Sequence, residues 1–253
     1  MADKAIDPLH QFEIHALLPI KLGATDVSFT NSSLWMAISI IAVTSFLTMS
    51  MRGRALVPGR MQSMAELSYE FIANMIRDNA GQSGMRFFPA IFTLFMFILF
   101  GNLLGMVPYS FTFTSHIIVT FGLALTVFLA VTVLGIALHG LHFFSFFVPK
   151  GVPWMMMPLM IPIEVLSYLT RPVSLSIRLF ANMMAGHTML KVFAGFTVLM
   201  IGALGPVAGG ALGMVPLAIN VALTGFEFLV AFLQAYVFTV LTCIYLNDAI
   251  HLH

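Results

Sequence analysis

Long apolar stretches separated by short polar ones set the layout of this 253-residue chain. Residues 33–51, 87–107 and 117–140 each approach the roughly 20 predominantly apolar residues of a spanning helix, so each predicts one crossing of a bilayer. Two later stretches are longer: 153–204, punctuated by Pro158, Pro162 and Pro172, and 212–248. As a helix, Leu212 to Leu246 would extend about 52 Å, well beyond the ~30 Å of an upright crossing. Both stretches predict strongly tilted or bent helices, with the prolines as places to bend. The glycine-rich stretch from Gly202 to Gly213 predicts the turn of a final hairpin.

Between the first two spans the pattern changes. Met64, Leu67, Phe71 and Met75, with Ile72 and Ile76, recur at helical spacing, while Gln62, Glu66, Glu70, Asn74 and Asp78 fall mainly on the other side. Residues 61–79 therefore predict an amphipathic helix lying on the inner membrane surface. Residues 1–32 carry Asp3, Asp7, Glu13 and Asp26 and no long apolar core; they read as an exposed outer tail, not a cleaved signal peptide. The expected fold is an all-α integral membrane protein of about five to six helices, with 1–253 as a single membrane domain. It would contain one amphipathic surface helix and a final hairpin of two long, tilted helices.

Composition agrees. With 60% hydrophobic and 8% charged residues and a mean hydropathy of +1.00, the chain has more apolar surface than one soluble core could bury. A net charge of +1, without a basic run interleaved with aromatics, gives no footprint for nucleic acid. The single cysteine, Cys243, excludes an internal disulfide and a cysteine-based metal site. Met155, Met156 and Met157 read as gap-filling apolar residues, and neither metal nor cofactor is expected. Arg52, Arg54, Arg60, Arg77 and Arg86 outnumber Glu66, Glu70 and Asp78 and mark that segment as inner. The uncharged connection from Pro108 to His116 is then outer, and Lys150 returns the chain to the inner side. The amino terminus falls outside and the carboxyl terminus inside.

Only Lys150, Glu164, Arg171, Arg178, Lys191, Glu227 and Asp248 carry charge beyond Arg86. An arginine at the centre of a bilayer costs about 2.5 to 3.5 kcal/mol on insertion scales, so Arg178 is expected to face the protein interior. Glu164, Arg171, Arg178 and Ala185 recur every seven residues, with Ser174 and Asn182 one turn either side of Arg178; Asn220, Glu227 and Gln234 repeat the spacing on the second helix. Seven residues advance a helix by nearly two turns, so each set forms a polar stripe. An antiparallel register that pairs Arg178 with Gln234 also pairs Glu164 with Asp248 and brings His187 within two residues of Glu227. Two titratable levels are thus held apart by a cation that does not deprotonate. His187, nine residues past Arg178, is expected to face away from Gln234's helix, into a channel behind its own. His116, His139 and His142, at span ends, predict interfacial packing; His251 reads equally as a lid or a frayed tail. Arg171 and Lys191 predict pairing or snorkelling.

The run from Arg171 through Arg178 to His187, with Glu227, the segment Leu233 to Phe238 and the span end Phe100 to Pro108, closely resembles subunit a of the F-type ATP synthases, over nearly the whole chain. The resemblance implies a membrane stator beside a ring of c subunits, with b-type peripheral-stalk subunits and other ATP synthase subunits as partners. It implies no bond chemistry in this chain. Arg178 would be the essential arginine between two offset half-channels. Glu227, His187, Asn182 and Gln234 would serve the outer one, and Glu164 and Asp248 the inner. Many bacterial members have an acid at the position of His187 and a histidine at that of Glu227; this chain has the exchanged pair, as alphaproteobacterial and mitochondrial members do. Gly105 stands where some relatives carry aspartate, which leaves Asn102 and His187 to serve the outer route. A bacterial inner membrane is the expected place, with the mitochondrial inner membrane as the alternative. The competing reading, a self-contained ion channel or secondary transporter, would call for two related halves, and the sequence has no convincing internal repeat.

Overall fold

Backbone polar groups in hydrocarbon must be satisfied within the chain, which turns the apolar runs into helices. A computed structural model describes residues 10–22, 25–26, 28–53, 55, 57–107, 110–148 and 154–251. Asp3, Asp7, Arg54, Pro108, Lys150 and Pro153, used above, lie outside the described residues. The helices are α1 (Asn31–Met51), α2 (Arg60–Gly84), α3 (Phe88–Gly105), α4 (Ile117–His139) and α5 (Met157–Ile250). Among the described residues, four continuous stretches, α1, Arg60–Gly105, α4 and α5, are long and apolar enough to cross a membrane. The fold is the all-α membrane architecture that the pattern predicts.

The amino-terminal tail is more ordered than expected of a simple extension. Strand β1 (Ala16–Leu18) pairs antiparallel with β4 (Phe29–Thr30), and β2 (Lys21–Leu22) with β3 (Thr25–Asp26). At the start of α1, Asn31 fastens this segment: its Nδ2 donates to the carbonyl of Glu13 at 3.0 Å, and its Oδ1 accepts from the His15 amide at 3.2 Å.

Helix α5 has 94 residues and one non-helical backbone position, Gly205, at φ 79° and ψ 172°. Glycine alone holds that conformation without strain. The chain doubles back there: Gly209 lies against the carbonyl of Met200 where no Cβ could fit, and the Thr197 hydroxyl reaches the carbonyl of Gly213 at 3.4 Å. The predicted turn from Gly202 to Gly213 is thus corrected to a break at one residue, with helical backbone on either side of it. Pro158, Pro162 and Pro172 remain within helical backbone.

Along α2, the predicted apolar stripe divides between covered and uncovered positions. Ile72, Met75 and Ile76 are buried, together with Ala65, Ala73 and Ala80, whereas Met64 and Leu67 are exposed. The apolar arc is wider than the face its own chain covers.

The chain packs as two compact units. One comprises the chain up to Ile41, Ile98–His116 and Leu179–Gln234, with Ile98, Phe113, Leu179, Met183 and Ala231 fully buried or nearly so. The other comprises Ala42–Phe97, Ile117–Arg178 and the chain from Ala235, around Ile72, Phe95, Leu175 and Phe238.

Candidate functional site

In the unit that contains the hairpin tip, His187 comes from the first arm of α5 and Glu227 from the second. Nδ1 of His187 lies 3.5 Å from Oε1 of Glu227, and its Nε2 lies 3.0 Å from the hydroxyl of Thr112, in the loop after α3. His187 therefore does not turn away from the partner arm as its rotational phase suggests. The reason is next to it: Gly186 has no side chain, and a Cβ there would stand 2.6 Å from Glu227 Oε1. The glutamate fills that space. Glu227 is 4% exposed, and its carboxyl oxygens have no hydrogen bond among the described residues.

Farther along the same arms, Asn182 Nδ2 donates to Gln234 Oε1 at 2.8 Å. The predicted register gives Gln234 a partner at position 178; the bond observed is to Asn182, one turn along the first arm. Residues four apart share a helix face, so the polar stripe alone fits either pairing. Buried Asn102, on α3, donates from Nδ2 to the carbonyl of Ala231 at 3.2 Å. A cavity of about 240 Å³, bordered by Gln11, Gly105, Ser110, Thr112, His187 and Lys191, opens beside the histidine.

The other unit holds Glu164, Arg171, Arg178 and Asp248. Asp248 accepts from Nη1 of Arg171 at 2.9 Å. The Arg171 guanidinium also lies 4.9, 5.2 and 5.6 Å from the ring centroids of Tyr245, Tyr168 and Phe146. Glu164 is half-buried. Arg178 is exposed, against the expectation that it faces the interior. Of the histidines at span ends, His139 hydrogen-bonds the carbonyls of Ala249 and Ile250, His116 stacks on Phe111 and is held below its ordinary pKa by burial, and His251 contacts Asn247.

The sequence pattern of the ATP synthase A chain family matches residues 33–247. The chain belongs to that family. It is 60% identical to the ATP synthase subunit a of Parvibaculum lavamentivorans over 97% of its length and 94% of the relative's. The corresponding figures are 61%, 98% and 98% for the subunit of Chelativorans sp., and 59%, 99% and 99% for that of Mesorhizobium japonicum. As a subunit a it is a non-catalytic membrane component of the proton-translocating F0 sector, alongside other ATP synthase subunits.

Within this ATP synthase A chain, sequence reasoning missed Thr112 and Gly186. Neither is charged and neither belongs to a seven-residue stripe. Thr112 reaches His187 across 75 positions, a proximity only the fold creates.

Proposed function

We propose that this chain is the stator of a rotary proton motor, with two offset half-channels that carry protons to and from the carboxylates of a neighbouring c-subunit ring. Arg178 carries this reading. It is an exposed arginine in an apolar helix, and a charge at membrane depth calls for a partner. A ring carboxylate supplies one. The guanidinium favours the ionised form of that carboxylate and so promotes proton release; because it does not deprotonate, it blocks direct passage.

On the outer side, the cavity beside His187 leads to the His187–Glu227 contact, with Asn102 fixing the second arm through Ala231. Asn182 and Gln234 form the approach, and Nε2 of Gln234, buried without a partner among the described residues, is a neutral donor for an arriving carboxylate. Glu164 and Asp248 serve the inner half-channel. The amino terminus lies outside and the carboxyl terminus in the cytoplasm, and b-type peripheral-stalk subunits hold the chain against the ring's torque. Each proton moving through ~100 mV releases about 2.3 kcal/mol for rotation.

Reconstituting the chain in vesicles alone and with a c-type ring, then following proton flux with a pH-sensitive dye, tests the reading. Flux should require the ring. Conduction at the full rate by the isolated chain would overturn the stator in favour of a self-contained channel.

A further inference from the structure

The last carbonyls of a helix lack intrahelical donors and must find others. At the end of α3, the carbonyl of Gly105 accepts from two hydroxyls, Ser110 at 2.8 Å and Thr112 at 3.0 Å. A threonine hydroxyl has one proton and can accept as well as donate. With that proton committed to Gly105, Oγ1 of Thr112 meets Nε2 of His187 as an acceptor, at 3.0 Å. In that arrangement Nε2 carries the ring N–H, and the lone pair lies on Nδ1, the atom 3.5 Å from Glu227 Oε1.

We propose that Thr112 is a positioning residue that fixes His187 in its Nε2–H tautomer and so dedicates Nδ1 to proton exchange with Glu227. This rests on the proton-path reading of His187 and Glu227 and adds the device that orients it. One proton is fixed, on Nε2, and hydrogen-bonded to Thr112. One is mobile, on the line between Nδ1 and Oε1. When the pair holds it, it sits either on the carboxyl, as a neutral acid donating to a neutral ring, or on Nδ1, as a carboxylate facing an imidazolium. Moving between these forms breaks one O–H bond and makes one N–H bond, with no other change.

Two bare positions build the device. A Cβ at Gly105 would lie 2.6 Å from Oγ1 and 2.7 Å from Cγ2 of Thr112, so an unsubstituted α3 terminus is what lets Thr112 sit there. Gly186 gives Glu227 the equivalent space on the other side of the ring. A larger residue at 105 would displace the threonine before it touched the histidine.

The test uses the complete, assembled ATP synthase with ¹⁵N-labelled histidine. Solid-state NMR reads which ring nitrogen of His187 is protonated, and the signal is assigned by its loss in His187→Gln. The wild type and Thr112→Ser should show Nε2–H. Thr112→Val, of nearly equal shape but without the hydroxyl, should show a substantial Nδ1–H fraction and lose proton-driven ATP synthesis by on the order of tenfold, as when other partners that orient a histidine are removed. Thr112→Ser should restore the rate. Nδ1–H in the wild type overturns the proposal even if Thr112→Val fails to assemble. So does an unchanged His187 signal in Thr112→Val, or a switched signal at an undiminished rate. Wild-type synthesis by His187→Gln would instead overturn the proton-path reading and leave the tautomer assignment standing.

Discussion

Asn182 and Gln234 face each other amide to amide, with Nδ2 of the first donating to Oε1 of the second at 2.8 Å. That bond fixes which end of the Gln234 amide is oxygen and turns its buried NH2 toward space without a partner among the described residues. A buried donor left unmatched costs about 1 to 3 kcal/mol and is retained where something arrives to use it. Gln234→Leu keeps the volume and removes the donor, so proton-driven ATP synthesis should fall by roughly tenfold or more while the complex assembles. Asn182→Ala, which frees the amide to rotate, should cost less. An unaffected rate in Gln234→Leu would remove the donor from the mechanism.

Arg178 is exposed, so replacing it should leave folding intact and act on transport alone. Arg178→Ala should abolish proton-driven synthesis in vesicles with normal subunit content. Arg178→Lys should fail as well, because a buried ammonium can lose its proton and lacks the planar fork for a carboxylate. Measurable synthesis in the alanine variant would refute the assigned role.

Arg171 and Asp248 present the opposite case, a charge pair with a structural environment. Their side chains are 22% and 24% exposed, and three aromatic rings surround the guanidinium. Arg171→Met leaves the carboxylate without its cation in a mostly apolar setting and should lower stability by about 2 kcal/mol, between the values of exposed and fully buried pairs. Replacing both residues, as Arg171→Met with Asp248→Leu, should recover most of the loss, since no lone charge remains. Thermal unfolding of the purified complex reads both effects; equal destabilisation by the single and double variants would contradict this account.

Much of this was legible because hydrocarbon imposes one rule. Residues 33–51 and 117–140 correspond to α1 and α4 almost to the residue, since apolar length alone decides where a helix can span. Polar spacing was less decisive. It placed His187 near Glu227 and marked Asn182 and Gln234, yet left the register open by one turn. The ring direction of His187 depended on Gly186, and a glycine announces nothing about what will occupy the space it leaves. The exposure of Arg178 is not legible for a different reason: the cost of a charge at membrane depth demands cover, but sequence does not say whether the same chain or another supplies it.

The hairpin itself depends on one backbone angle. Gly205 sits at φ 79° and ψ 172° between two helical arms, a region closed to residues with a Cβ except at a cost of about 1 to 3 kcal/mol. A Cβ at Gly205 would meet no heavy atom within 4 Å, and the same holds at Gly202 and Gly210, which have helical backbone. Space therefore cannot distinguish the three positions, and only the dihedral can. Gly205→Ala should lower the thermal unfolding midpoint in line with that strain. Gly202→Ala and Gly210→Ala should be neutral or slightly stabilising, because alanine gains up to about 1 kcal/mol over glycine within a helix. Equal effects at all three positions would mean that the reversal does not hinge on Gly205.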